Sequence, residues 1–403
     1  MNRQACKMII LFLLVLISSV RASDDANDLR ALPDYLSYAA LNNAQLKAKF
    51  EQWKAALEQI PQAKALDDPK FTYSYFIEEV ETRVGPQRNK FGIMQRFPWF
   101  GEIEARADAA SAKANVAKEQ YQAEKLKLFQ NVKDGFYEFS YLATAIEIAN
   151  ENLELLKYFE EVARTKYRSS TATHPDVIRA QIELATLEDI LKSLEKLREP
   201  TVARLNSILN RKVDAKLQWP RKEQPVEVEI IRKDIIEKVI RANPELAELD
   251  WQRESAKAEV ELAKKKFYPD IGIGVDWIQT DGSSMPGVRD SGKDPVMLMF
   301  SMNIPLWHGS YKAAERQAQA NVRKYQQKKI DLQNKKIFQA LQIIYDIEDS
   351  KRKMDLYGNT LVSKAQELVK SSESAYRAGT VDFLSLIDAQ RIFLKYKLDY
   401  ERA

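Results

Sequence analysis

The sequence predicts a mainly α-helical chain with a small transmembrane β part, written as two copies of one plan. Three observations carry this. Glycine fills only 12 of 403 positions while charged residues make up 30%. Motifs recur in the same order about 200 positions apart, and four short segments alternate apolar with polar side chains. Little glycine among abundant Ala, Glu, Lys, Gln and Leu favours long helices, and a period of two marks strands.

The first residues read as a secretory leader, 1–22. A basic start precedes a 13-residue apolar run, Met8 to Val20, and Val20-Arg21-Ala22 places small residues at a cleavage position. The run is shorter than the ~20 residues a spanning helix needs; a retained anchor is the alternative. Arg3, Lys7 and Arg21, with no acid among them, account for three of the four net positive charges. The remainder is close to neutral, which gives no footprint for nucleic acid. Cys6, the only cysteine, lies in the leader, so disulfide and thiolate chemistry are excluded from the processed chain. No later run of 18 apolar residues occurs, so any membrane crossing must be made by strands.

The repeat is the most informative feature. Pro98-Trp99-Phe100-Gly101 echoes Pro305-Leu306-Trp307-His308-Gly309. Phe136-Tyr137-Glu138 matches Ile344-Tyr345-Asp346 at a spacing of 208. Tyr167-Arg168 matches Tyr376-Arg377, Thr171 matches Thr380, and Ala180-Gln181 matches Ala389-Gln390, all at 209. Asn43 and Leu46 match Asn243 and Leu246 at 200. The repeats are assigned to 23–210 and 233–403, with a Pro-containing linker at 211–232.

Each repeat is expected to open with a helix (34–66; 233–266) and continue into a strand pair (70–80 with 90–98; 270–279 with 295–305). A very long helix follows (102–168; 309–378), then a short turn and a returning helix (176–210; 382–403). Between Glu102 and Arg168 there is no proline and one glycine, Gly135; at 1.5 Å per residue such a helix reaches about 100 Å. The helices 176–210 and 233–266 together match the length of 309–378 to within a residue. One descending helix and two half-helices returning end to end require that equality. Ala105, Ala109 and Ala112 allow close antiparallel packing.

In the strands, Phe71, Tyr73, Tyr75 and Ile77 alternate with polar residues. Ile273, Val275 and Trp277 do the same, as do Leu298 and Phe300 with their neighbours. One apolar, aromatic-rich face over about ten residues is the pattern of transmembrane β-strands; a soluble sheet packed on helices would alternate likewise. Trp99, Trp307 and Tyr268 lie where strands meet helices and suit an interfacial aromatic belt. On the membrane reading Phe71, Tyr73, Tyr75, Ile273, Val275, Leu298 and Phe300 face lipid. Four strands cannot close a barrel, and open edges do not survive in lipid. Two copies give eight strands, a barrel that side chains fill, whereas three give twelve and leave an aqueous bore.

Taken together, Asn243-Pro244-Glu245-Leu246, Phe267-Tyr268-Pro269-Asp270, Ile304-Pro305-Leu306-Trp307 with Gly309, Tyr376-Arg377-Ala378-Gly379-Thr380 and Leu386-Ile387-Asp388-Ala389-Gln390-Arg391 resemble the TolC-like outer-membrane efflux proteins. These are the outer-membrane factors of tripartite efflux systems. The resemblance covers residues 30–403. It implies a homotrimer with a 12-stranded barrel in the outer-membrane lipid of a Gram-negative bacterium and a long antiparallel helical tunnel in the periplasm. It also implies passive conduction in concert with a periplasmic adaptor and an inner-membrane pump, for heavy-metal cations or drugs. The periplasmic tips are then Arg168 to Asp176 and Arg377 to Asp382. Tyr376 and Asp388 fall at gate positions of the family, while Val381 and Ser385 replace polar residues expected there. Helix packing is the alternative role for Tyr376, and a solvated face for Asp388.

No catalytic constellation is present. The two histidines, His174 and His308, lack convergent ligands for a metal, and the glycine-rich stretch 282–292 has no phosphate-loop ending. Neither enzyme chemistry nor a cofactor is expected. A periplasmic adaptor would carry one hairpin and a Gly-rich β-domain, and a non-pore coiled-coil protein would have no use for four aromatic strands.

Overall fold

The computed structural model describes residues 29–223, 226 and 229–403. The leader and Pro225 lie outside them. The described residues divide into two compact units, one of residues 44–127 and 229–348, the other of residues 29–43, 128–223, 226 and 349–403.

In chain order the elements are α1 (Leu32–Asn42), α2 (Ala44–Lys64), β1 (Lys70–Val80), β2 (Gln87–Phe97), α3 (Glu102–Arg168), α4 (His174–Leu209), α5 (Arg232–Ala242), α6 (Pro244–Lys265), β3 (Ile271–Thr280), β4 (Val296–Met302) and α7 (His308–Leu356). A π-turn (Tyr357–Leu361), α8 (Val362–Ala378) and α9 (Phe383–Arg402) complete the described residues.

The opening helix expected in each repeat, 34–66 or 233–266, is two helices broken at an asparagine. Pro244 pushes Asn243 out of the helical region, to φ −77° and ψ 118°, and the Asn243 side chain accepts from the N–H groups of Glu245 and Leu246 at 2.9 and 3.2 Å. Asn43 breaks the first repeat without a proline. It takes φ −60° and ψ 124°, and its Nδ2 donates to the Ile208 carbonyl at 2.8 Å.

α3 is continuous over 67 residues, with Glu102 and Glu104 in its first turn and Lys166 and Arg168 in its last, each sign matched to the helix dipole. Its buried face changes character along its length. In the first unit small side chains from Ala105 to Ala117 are buried; in the second, Phe136, Phe139, Leu156 and Phe159 are. The second long helix, expected over 309–378, is interrupted by the π-turn. A π-turn accommodates one extra residue in a helix, and it lies between Ile344 and Tyr376, where the repeat spacing changes from 208 to 209. Gly358 makes room there for the Tyr400 ring: a Cβ at this position would lie 2.8 Å from Tyr400 Cε2.

The four strands form one antiparallel sheet, β1-β2-β3-β4. The strands of the two repeats meet at the β2–β3 ladder, from Phe97 opposite Ile271 to Gln87 opposite Thr280. β4 is shorter than the expected 295–305. It ends at Met302, before Asn303, whose side chain accepts from the Asp270 N–H, and before Pro305, which has no N–H to donate to a ladder.

The linker is anchored within the second unit. Trp219 stacks on Phe139 at 4.7 Å, the Arg198 guanidinium lies 4.4 Å over the Trp219 ring, and Asn206 donates to the Val213 and Ala215 carbonyls.

Candidate functional site: a two-faced sheet and a paired tip

The register sorts the strand side chains into two faces. Phe71, Ile93, Val275 and Leu298 form one row across all four strands; Tyr73, Phe91, Trp277 and Val296 form the next. Ile273 and Phe300 share a third with Gln95. Ring contacts run along the second row, Tyr73 to Phe91 at 5.2 Å and Phe91 to Trp277 at 5.3 Å. Phe71, Tyr73, Tyr75, Ile273, Val275, Leu298 and Phe300 are all exposed, from 41% at Ile273 to 71% at Phe300. An apolar patch that spans a whole sheet is rare on a monomeric soluble protein and marks an interaction surface. Tyr75 stands at the polar end of this face, in register with Asn89. Asn89 accepts from the Tyr73 hydroxyl and donates to Gln279, each at 2.8 Å.

The opposite face is polar and holds charges in pairs. Asp276 is fully buried and makes an ion pair with Lys90, while its Oδ1 has no hydrogen-bond partner. The carboxylate fits because residue 92 has no side chain; a Cβ on Gly92 would sit 2.3 Å from Asp276 Oδ1 and 2.7 Å from Thr72 Oγ1. Arg88 reaches Glu79 and Asp281 at 2.8 and 2.9 Å, and Arg96 reaches Asp67 and Asp270 at 3.3 and 3.5 Å. All three β2 cations therefore pair with an acid of β3 or its immediate flanks: Asp276 within the strand, Asp270 just before it and Asp281 just after it. The alternation of β3 made Asp276 legible as polar, but its burial depends on Gly92 across the ladder.

The α3–α4 and α8–α9 turns bring together most of the expected tip residues. Asp176 closes the N-terminus of α4, accepting from the Thr173 N–H and hydroxyl at 3.1 and 2.9 Å. Asp382 does the same for α9, accepting from the Ser385 N–H at 3.0 Å and its hydroxyl at 2.6 Å. Those bonds, the hydroxyl's first, hold the Asp382 carboxyl below its ordinary value. Gly379, at φ +77°, ends α8 in the left-handed conformation that favours glycine.

Tyr376 is buried in the core cluster of this unit, edge-on to Phe383 at 5.2 Å, and its hydroxyl has no hydrogen-bond partner. Burial, with a further push from Asp176, raises its pKa to about 12. Arg377 lies outside that core, donating to the Tyr158 hydroxyl at 3.3 Å and lying 3.7 Å from Glu373. Tyr158 donates to Glu373 at 2.9 Å, which raises the Tyr158 pKa. Asp388 is solvent-exposed and 3.6 Å from Arg391, whose guanidinium also pairs with Glu183 of α4. Arg168 ends α3 exposed.

Lys166 was not anticipated. Its ammonium donates to the Tyr376 and Arg377 carbonyls at 2.5 and 2.9 Å and lies 4.9 Å from the Tyr376 ring centroid. Its partners are main-chain oxygens of a segment 210 residues away, which no side-chain pattern displays.

Among the described residues no group of three or more His, Cys, Asp or Glu side chains could hold a metal. No helix among them is long and apolar enough to cross a membrane. Long helices written in two copies, together with one amphipathic four-stranded sheet, are the class of fold expected of an outer-membrane channel. Residues 35–211 and 235–403 match the outer membrane efflux protein family, and the chain belongs to it.

Nodulation protein T of Rhizobium leguminosarum bv. trifolii is 21% identical over 382 residues, covering 89% of this chain and 79% of that protein. The outer-membrane channel OprN superposes with a TM-score of 0.78 at 17% identity, over 92% of this chain and 86% of that one. The outer membrane protein VceC of Vibrio cholerae superposes with a TM-score of 0.72 at 18% identity, over 92% of each chain. At these identities the structural likeness speaks for the fold.

Proposed function

We propose that this protein is the outer-membrane subunit of a tripartite efflux system and a passive conduit, not an enzyme. Three copies supply twelve strands to one barrel, with the helices in the periplasm of a Gram-negative bacterium. A periplasmic adaptor and an inner-membrane pump provide the energy and deliver the cargo, heavy-metal cations or drugs. The observation that carries this reading is the two-faced sheet. It has exposed apolar rows on one side, paired charges on the other, and two edge strands, β1 and β4, free to ladder with further copies. Family membership supports it independently.

On this reading Phe71, Tyr73, Tyr75, Ile273, Val275, Leu298 and Phe300 face lipid, and the Lys90–Asp276 side lines the bore. The turns between α3 and α4 and between α8 and α9 form the periplasmic entrance. Tyr376 acts there as the packed centre of the tip, while Arg377, Asp388, Asp382, Arg168 and Asp176 shape its polar surface. The test is conductance in planar bilayers of detergent-extracted protein, with crosslinking to count subunits. Discrete steps from a crosslinked trimer are expected. A soluble monomer or dimer that never inserts overturns the reading.

A further inference from the structure

Among the contacts that join the two tips is a helix-end cap that the first repeat supplies to the second. α3 ends in a turn that satisfies its own last carbonyls: the Lys166 carbonyl accepts from the Thr171 and Ala172 N–H groups, and the Tyr167 carbonyl from the Ser170 N–H. At the end of α8 the Gly379 N–H reaches the Tyr376 carbonyl and the Thr380 N–H reaches Ala375. The Tyr376 and Arg377 carbonyls are also capped by the Lys166 ammonium from α3. A cation at a helix C-terminus is favoured both by the dipole and by charge-assisted hydrogen bonds. Lys166 is half-buried, and its head group is committed to these carbonyls and the Tyr376 ring. At the spacing of 209 its counterpart in the second repeat is Ala375, whose side chain has no donor. The capping of helix-end carbonyls by this lysine therefore runs one way, from the first tip to the second, beside the Arg377–Tyr158 and Arg391–Glu183 contacts that run from the second repeat to the first.

We propose that Lys166 is a positioning residue of the entrance: by capping α8 from α3, it holds the second tip against the first and keeps the resting pathway narrow. This rests on the conduit reading above. Removing the donor frees the end of α8 without disturbing the turn of α3, because the Lys166 carbonyl that organises that turn remains.

The test compares Lys166→Met, which keeps an apolar stem and loses the donor, with Lys166→Arg, which keeps a cation able to donate. Resting single-channel occupancy of the wide state is measured in bilayers. Tip separation is measured independently, by spin-label distances between cysteines placed at the exposed positions Ser170 and Val381. We expect Lys166→Met, which removes both charge-assisted hydrogen bonds, to raise wide-state occupancy on the order of tenfold or more, and to lengthen and broaden the 170–381 distance. Lys166→Arg should stay within about twofold of the parent, since its guanidinium still donates. Parental occupancy and parental distances in Lys166→Met overturn the proposal, as do equal changes in Met and Arg variants, which would assign the effect to stem packing. If no variant, nor the parent, conducts, the conduit reading fails, and the spin-label distances still decide whether Lys166 ties the tips.

Discussion

The two repeats follow one plan and solve its local problems differently. Both break their opening helix at an asparagine; the Asn243 side chain accepts from its own helix, and the Asn43 amide donates to the end of α4. Both send down a very long helix, but α3 is continuous whereas the second carries a π-turn packed against Tyr400. Both end in a tip, and Lys166 of the first caps the last carbonyls of the second, where the matching residue is Ala375. The shared plan is set by hydrophobic patterning and turn chemistry. Two of the differences arise within a repeat, at Asn43 against α4 and at the π-turn against Tyr400, and the third where the repeats meet, at Lys166.

The comparison can be broken most severely where the repeats cooperate, in the sheet. Leu298→Arg places a cation in the row shared with Phe71, Ile93 and Val275, and should cost about 2–4 kcal/mol if that row lies near mid-membrane. The measurement is the yield of heat-resistant oligomer in detergent; a parental yield would remove those residues from the lipid-facing set.

The π-turn comes next. Gly358→Ala forces a methyl into the Tyr400 ring and should cost about 1–3 kcal/mol, read as a lowered melting temperature of the solubilised protein. Gly309→Ala, with nothing within 4 Å of the added atom, should be neutral or raise it by a fraction of that amount. Equal effects at the two sites would mean that the turn relaxes freely.

The helix breaks sharpen the comparison further. Asn43→Asp removes the donor to the Ile208 carbonyl and should cost about 1–2 kcal/mol. Asn243→Asp keeps an acceptor for the Glu245 and Leu246 N–H groups and should be near neutral. At the small end, Lys364→Ala, in an exposed pair with Glu367, should leave the melting temperature unchanged, as exposed pairs contribute little.

Much of this fold is written in the sequence because its signals are local. The absence of proline and the single Gly135 delimit α3, and alternation around Ile273, Val275 and Trp277 reveals β3 and its faces. The break at Asn243 could have been read from Pro244. That at Asn43 could not, since what distinguishes it is an acceptor on α4. The change of spacing from 208 to 209 signals one surplus residue, but only the structure shows it absorbed inside a helix instead of in a loop. At the tip, Tyr376 and the capping carboxylates Asp176 and Asp382 stand out by residue type and position. Lys166 looks like any other charged residue in a last turn, because its role depends on oxygens that every residue possesses.

The surplus residue also has a history. If the halves began as identical copies, one was altered by a single residue after duplication, in the middle of a helix where a shift of about 100° per residue would misdirect every side chain beyond it. The π-turn confines that shift to five residues, so Tyr376 and Arg377 still reach the tip as counterparts of Tyr167 and Arg168. An insertion that would ordinarily scramble a helical hairpin was thereby made survivable. The bulge takes up that one residue, and the far end of the second copy keeps the phase of the first.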